Sequence, residues 1–342
     1  MEIAPTSWSA LSAALMFVLG VLFSIKICKL FNTSAKRSLV LFLWHTLFCL
    51  VYLFYVGRFG GDATAYFETS ARGGVDFSLG TRAIQFVAMF FSSTLGMSVL
   101  GVFLAFNILG FTGLLAFDAA LQSAVWDKGR RMRDLATLIV FLLSVSFWSS
   151  AIGKDAISFL AAGLGLWAAI RLEKRNLLMI LAISLMFLVR PHIAAVMVTA
   201  VAVSMMIQSR VSVIQRGFLG GVAIVATGLI VPFAMNYAGL GSDAQMSDVA
   251  EYVAQRQSSN LLGGGAIEIS SMSLPMQMFT YLFRPLPFEA HSIPALAASV
   301  DNVVLLAIAL VGGATMIKQR SRVRTGNRAF LWVYSLGAWL VL

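Results

Sequence analysis

Long apolar runs, separated by short polar segments, make up most of the chain. A run of roughly 20 apolar residues crosses a hydrocarbon core, and fewer suffice where aromatic or basic side chains anchor its ends. Ten runs meet this condition, at residues 8–30, 38–57, 96–118, 134–150, 156–171, 176–190, 192–208, 217–237, 294–317 and 328–342. The pattern predicts an all-α fold, a polytopic membrane bundle of about ten transmembrane helices.

Composition supports this class, because 59% of the 342 residues are hydrophobic and only 12% are charged, a balance unlike that of soluble domains. We find no fixed-period repeat and no low-complexity linker, so residues 1–342 are predicted to form a single transmembrane domain. The last run is predicted to be either a short helix or the truncated end of a longer protein. The first run has neither a charged segment before it nor a cleavage site, which predicts a retained helix.

Two connecting loops are large, at residues 58–82 and 238–293. The first is rich in Gly and Asp, which predicts a structured turn segment. Residues 83–95 follow it, and they are predicted to form an interfacial or re-entrant helix because 83–118 is too long for one crossing.

The distribution of Lys and Arg predicts the orientation, because short loops rich in these residues stay on the cytoplasmic side. Five clusters hold 18 of the 25 basic residues, and all five fall in alternate loops of the ten-run arrangement. Both termini and the two large loops are therefore predicted to lie outside. The basic residues are spread over short loops and form no single face, so no nucleic-acid partner is predicted.

Seven basic residues lie outside these clusters, and four of them stand in motif-like surroundings on the predicted outer side. The motifs are "VGRFGGDATAY" with Arg58, Asp62 and Tyr66, "SFWSSAIGKDAISF" with Trp148, Lys154 and Asp155, "FLVRPH" with Arg190 and His192, and "YLFRPLPFEAH" with Arg284, Glu289 and His291. A simpler role stays open for several of these residues. The alternatives are that Arg58 anchors a helix end, that Asp62 shapes a Gly-Gly-Asp turn, and that Lys154 and Asp155 form an ion pair at a helix start.

Arg190 is the most informative of these residues. It falls between two short apolar runs, so a hairpin there lies below the membrane surface, where an arginine without an anion or a carboxylate is costly. The Arg-Pro pair occurs twice, at Arg190 and Arg284, and proline ends a helix and so fixes the direction of the guanidinium.

A membrane cavity lined by arginine and lysine favours an anionic ligand, since guanidinium groups bind phosphate oxygens in pairs and stay charged. The natural ligand outside the cytoplasm is a sugar linked to polyprenyl diphosphate. Arg58, Lys154, Arg190 and Arg284 are the candidate diphosphate-binding residues. Asp62, His192 and Glu289 are the candidates for accepting a proton from an acceptor hydroxyl. No metal-ligand spacing, phosphate-binding loop or nucleotide-binding fingerprint occurs, so neither a metal nor a cofactor is predicted.

The chain resembles the oligosaccharide-repeat polymerases of bacterial polysaccharide gene clusters (Wzy and EpsG types) and the GT-C-like glycosyltransferases. The resemblance rests on "GGDATAY", "FWSSAIGKD", "LVRPH" and "FRPLPFEA". It implies a multi-pass protein of the bacterial inner membrane, with periplasmic termini, that transfers glycosyl groups from a lipid-linked donor in exopolysaccharide, capsule or O-antigen synthesis. It also implies further synthesis or export proteins as partners. GT-C enzymes usually carry the acid after the first span, whereas Asp62 follows the second, which favours the polymerase type.

Two other classes stay open. A transporter or flippase for a lipid-linked or anionic substrate often has broken helices near the middle of the membrane, but it also has paired halves, which this sequence does not show. A membrane acyltransferase or a non-catalytic partner of a synthesis complex is the other class. Acyl transfer predicts a histidine inside the membrane with an Asp or Asn nearby, and His192 has none beside it in sequence.

Overall fold

The structure is a computed structural model that describes residues 6–207 and 272–319, with single positions between 212 and 228 and between 330 and 337. Every regular element in these residues is a helix, and no β-strand occurs among them. The predicted all-α fold is confirmed for this part of the chain. The helices are α1 (Ser7–Ile27), α2 (Ala35–Phe59), α3 (Asp62–Arg72), α4 (Thr81–Met89), α5 (Val99–Val125), α6 (Arg130–Val140), α7 (Leu143–Ser149), α8 (Lys154–Ile170), α9 (Asn176–Val189), α10 (Pro191–Ile207), α11 (Leu274–Phe283) and α12 (Ile293–Gln319).

Five stretches of helix in the described residues are long and apolar enough to cross a membrane: Ser7–Ile27, Ala35–Phe59, Val99–Val125, Arg130–Ser149 and Ala295–Gly312. α9 and α10 are apolar but shorter. The chain is therefore a helical membrane protein. The count of ten spans and the outer position of both termini stay predictions, because the runs at 217–237 and 328–342 lie mostly outside the described residues.

The chain divides into two compact units, and each is described by itself. One unit contains residues 1–231 and 325–342, and the other contains residues 232–324. The first unit includes α1 to α10, while α11 and α12 belong to the second. The single domain over residues 1–342 stays a prediction.

α5 is the central helix of the first unit and packs against α1, α2, α6, α7 and α8. Its contact with α8 is close, and two glycines meet there. A Cβ atom at Gly113 would lie 2.7 Å from backbone atoms of Leu160, and one at Gly163 would lie 2.3 Å from the carbonyl oxygen of Gly113. Small residues let membrane helices approach in this way, so the α5–α8 contact is made by backbone.

An ion pair joins α2 and α5 at the predicted cytoplasmic side. The Nε and Nη2 groups of Arg37 donate to the two carboxylate oxygens of Asp118, each at 2.7 Å, and Nη2 also donates to Thr137 of α6. The Asp118 side chain is fully buried. The sequence did not indicate this pairing, because the two residues are 81 positions apart.

The segment after α2 is more helical than the sequence predicted. Residues 58–82 contain α3, which starts directly after a turn in which Gly60 has a φ of +75°. Residues 83–95, predicted to be one interfacial or re-entrant helix, contain most of α4 and a π-helical turn at Phe90–Thr94. The backbone N–H of Gly80 donates to the carbonyl of Leu188 at 2.8 Å. This bond fixes the connection between α3 and α4 to the last turn of α9.

Candidate functional site

Three turns of the first unit come together around one cavity of about 470 Å³. They are the turns between α2 and α3, between α7 and α8, and between α9 and α10. Three of the residues predicted from sequence line it, namely Asp62, Lys154 and Arg190. These residues are distant in sequence, so the fold brings together three of the four motifs.

The first turns of α3 and α8 both border the cavity. Asp62 is the first residue of α3 and follows Gly61, while Lys154 is the first residue of α8 and follows Gly153. Neither helix has a side-chain hydrogen bond at its N-cap. The first backbone N–H groups of a helix have no partner within it and carry partial positive charge. Both helix ends therefore favour an anion in the cavity.

Arg190 is the C-cap residue that follows α9, and Pro191 begins α10 directly after it. The Nη2 group of Arg190 donates to a carboxylate oxygen of Asp155 at 2.5 Å. About a third of the arginine side chain and about half of the aspartate side chain are exposed (31% and 52%). Asp155 thus pairs with an arginine 35 residues away, and the alternative of a helix-start pair with Lys154 is wrong.

The remaining two charges of the cavity belong to Asp62 and Lys154. Neither side chain forms an ion pair or a hydrogen bond with another residue of the described ranges. A carboxylate and an ammonium group are therefore available to a ligand in the same cavity as the Arg190–Asp155 pair.

Aromatic side chains form much of the remaining wall, namely Tyr52, Tyr55, Tyr66 and Trp148. The rings of Tyr52 and Trp148 meet edge to face with their centroids 5.8 Å apart. The sequence motifs included Tyr66 and Trp148. Tyr52 and Tyr55 were missed because they lie inside an apolar run, and the only available signal was their spacing of three residues, which places both on one helix face.

A second cavity, of about 350 Å³, shares Trp148, Asp155 and Arg190 with the first. Its other wall residues are mostly apolar, with several hydroxyl groups among them. They are Ser144, Val145, Ser149, Ser158, Phe159, Ala162, Met186, Ile193 and Tyr334. The Arg190–Asp155 pair therefore stands between a polar cavity and a largely apolar one.

Two further residues predicted from sequence lie near this site without lining either cavity. Arg58 is exposed on the last turn of α2. His192 is half-buried in the first turn of α10, close enough to Arg190 and Lys154 to be affected by their charges. Their predicted roles in diphosphate binding and proton transfer stay predictions.

Arg284 and Glu289 belong to the other unit, where they pair with each other. Arg284 is the C-cap residue that follows α11, and it donates through Nε to a Glu289 oxygen at 3.0 Å. The backbone N–H of Leu286 donates to the same oxygen at 2.8 Å. The hydrogen bond from Arg284 lowers the pKa of Glu289 below its usual value. A carboxylate held in this way is a weaker base, yet the predicted roles of both residues stay predictions.

Comparison of the chain with protein-family models, with curated proteins and with solved structures found no match. The resemblance to polysaccharide polymerases therefore depends on the four motifs, and the function has to be argued from the two cavities.

Proposed function

We propose that the protein is a glycan polymerase or glycosyltransferase of the bacterial inner membrane, and that its donor is a polyprenyl-diphosphate-linked oligosaccharide bound from the periplasmic side. One observation carries this proposal. Asp62, Lys154 and Arg190 line a polar cavity, and an apolar cavity adjoins it at Arg190. A lipid-linked sugar needs both environments, one for its charged headgroup and one for its hydrocarbon chain.

The diphosphate would bind between Lys154 and Arg190. One Nη2 hydrogen bond of Arg190 goes to Asp155, and a guanidinium has five N–H donors, so others can bind phosphate oxygens. The uncapped first turn of α8 adds backbone N–H groups that favour a phosphate. These groups would also stabilise the charge that develops on the diphosphate as it leaves.

Asp62 would act as the general base. The acceptor hydroxyl gives its proton to the Asp62 carboxylate, and its oxygen forms a bond to the anomeric carbon of the donor sugar. The bond between that carbon and the diphosphate oxygen breaks, and polyprenyl diphosphate leaves with the electron pair. Asp62 suits this role because no arginine or lysine in the described part of the chain neutralises it.

The aromatic wall supports a carbohydrate substrate. A sugar ring has faces of C–H groups that pack against flat apolar surfaces, while its hydroxyl groups need polar partners. Tyr52, Tyr55, Tyr66 and Trp148 supply both an aromatic surface and phenol hydroxyls in one cavity. Tyr and Trp combine apolar area with a polar group in this way.

Analysis of lipid-linked glycans in a strain without this protein tests the proposal. We expect single repeat units to accumulate on the lipid carrier at the periplasmic face. Periodate does not cross the membrane, so oxidation of these units by periodate in spheroplasts shows that they lie on that face. Accumulation at the cytoplasmic face would instead identify a flippase, and an unchanged pool of lipid-linked glycans would exclude both activities.

Complementation with single variants tests the site. Asp62→Asn should lower chain extension by about 100-fold or more, since a general base contributes roughly 10²–10⁴-fold. Glu68→Gln is the matched control, because Glu68 is an exposed acid on the same helix and lines neither described cavity. Full chain extension by Asp62→Asn would contradict the role of Asp62.

A further inference from the structure

A chain of buried polar side chains crosses the interior of the first unit. His45 lies near the middle of α2, Asn107 lies in α5, and Ser149 is the last residue of α7. All three are buried, with exposed fractions of 0%, 0% and 3%. The sequence patterns did not indicate this chain, because His45 and Asn107 lie within apolar runs and Ser149 stands in the "SFWSSAIGKDAISF" motif without a marked role. His45 is 62 residues from Asn107 and 104 residues from Ser149.

The hydrogen bonds give this chain a direction. Asn107 donates through Nδ2 to the Thr46 hydroxyl at 2.8 Å, so its Oδ1, 2.6 Å from Nδ1 of His45, accepts the Nδ1 proton. The Nε2 atom of the neutral imidazole then has a free lone pair, and it lies 2.9 Å from the Ser149 hydroxyl oxygen. Ser149 also lies 2.5 Å from the Val145 carbonyl, and rotation of the hydroxyl moves its proton between the two acceptors.

This is the arrangement of a nucleophile, a base and an orienting group. Ser149 lines the apolar cavity of about 350 Å³, while His45 and Asn107 lie behind it. We propose that Ser149 and His45 are catalytic residues for acyl transfer from an ester with an apolar acyl chain, and that Asn107 positions the imidazole. The wall of Val145, Phe159 and Met186 favours an apolar acyl chain over a charged one.

Hydrogen bonds between membrane helices often serve only to hold the helices together. Here the chain ends at a hydroxyl that borders a cavity, which helix association does not require. Gly110 fixes the geometry further, since a Cβ there would lie 1.9 Å from the Ser149 carbonyl oxygen and 2.9 Å from His45 Cε1. The nucleophile and the base are thus held in place by direct backbone packing of α5.

The proposed reaction has two balanced steps. In the first, the Ser149 oxygen bonds to the acyl carbon while its proton moves to Nε2 of His45; the bond to the alcohol part of the ester breaks, and the alcohol leaves with that proton. In the second, an acceptor hydroxyl or water gives its proton to Nε2, and its oxygen bonds to the acyl carbon. The bond between that carbon and the Ser149 oxygen breaks, and Nε2 returns the proton to Ser149. Ser149, His45 and Asn107 are not among the residues proposed for glycosyl transfer, although both proposals place an apolar chain in the same cavity. Labelling of Ser149 therefore tests acyl transfer separately from chain extension.

Labelling of the folded, detergent-solubilised protein with an alkyl fluorophosphonate tests the proposal. We expect mass spectrometry to find the adduct on Ser149 of the native protein and not of the heat-denatured protein. The matched control is Ser92, a buried serine whose hydroxyl also donates to a carbonyl four residues earlier but which bonds to no histidine in the described structure. Ser92 should stay unlabelled, and Ser92→Ala should leave labelling of Ser149 unchanged.

His45→Gln should slow the labelling about 100-fold or more, since a general base supplies roughly 10²–10⁴-fold. Because this variant can fail to fold, a second measurement uses the unaltered protein. Incubation with p-nitrophenyl butyrate should release p-nitrophenol and leave a butyryl group on Ser149. An unmodified Ser149 in the folded protein, or equal labelling of folded His45→Gln, would overturn the proposal.

Discussion

Two Arg–Asp pairs join distant helices in the same unit, and they differ in burial. Arg37 binds Asp118 through two hydrogen bonds, and the carboxylate has no exposed surface. Arg190 binds Asp155 through one hydrogen bond. The two side chains are 31% and 52% exposed, and both residues line both cavities. In the first pair, Arg37 binds both oxygens of the buried Asp118 carboxylate, so that carboxylate has no surface left for a ligand. The second leaves donors and exposed surface for a ligand.

The comparison shows why residue type alone does not distinguish a structural ion pair from a binding site. Both arginines lie near the end of an apolar helix in sequence. A buried pair is costly to break because the remaining charge has no solvent, whereas an exposed pair contributes little to stability. We therefore expect substitutions at Arg37 to affect mainly stability and substitutions at Arg190 to affect mainly activity.

Arg37→Met should produce the largest effect. It leaves the fully buried Asp118 carboxylate without a cation, which typically costs about 3–5 kcal/mol. Thermal unfolding of the detergent-solubilised protein measures the change. Arg190→Met is the matched control and should cost about 1 kcal/mol or less, because that pair is partly exposed. Equal losses of stability in the two variants would remove the distinction between the pairs.

The same conservative change at both positions sharpens the contrast. Arg190→Lys should reduce chain extension by about 10- to 100-fold, since a hydrogen bond to a charged group contributes roughly 1.5–3 kcal/mol, while unfolding stays nearly unchanged. Arg37→Lys should instead lower stability, by about 1 kcal/mol, and leave chain extension per folded molecule unchanged. Full chain extension by Arg190→Lys would exclude the proposed binding of the diphosphate by its guanidinium.

A third pair, Arg284 and Glu289, should give a smaller effect than Arg37 and Asp118, because its partners are five residues apart and both are partly exposed. Arg284 lowers the pKa of Glu289 from its usual 4.5. The pair therefore stabilises the fold above pH 4.5, and this contribution is lost as the pH falls below 4.5 through the lowered pKa. The difference in unfolding temperature between the wild type and Glu289→Gln should shrink over that range. A difference that is constant with pH would contradict this account.

Much of the helical pattern could be predicted from sequence, because apolar runs in a membrane protein must be helical to satisfy their backbone. The runs at 8–30, 38–57 and 176–190 correspond closely to α1, α2 and α9. The run at 134–150 contains two helices that meet at Leu142, which no proline or glycine marks. α3 was missed because its glycine-rich start indicated a turn and its polar sequence lacks an apolar run.

The site was predicted only in part, for a physical reason. Asp62, Lys154 and Arg190 stood out because charge is expensive next to apolar runs. The sequence did not indicate that Asp155 is the partner of Arg190, because a pair between residues 35 positions apart depends on how α8 packs against α9. His45, Asn107 and Ser149 gave still less signal, because neutral polar residues in or beside an apolar run become informative only when the neighbouring helices are known.

The contact between Gly113 and Gly163 limits how this site can change in evolution. Neither position accepts a larger side chain without separating α5 from α8, so this backbone contact helps to fix the place of α8, whose first turn contains Lys154 and Asp155. New substrate specificities must then arise in the walls that α2, α3, α7 and α10 supply. Libraries for altering specificity should therefore vary the cavity residues of those segments and leave the glycine crossing untouched.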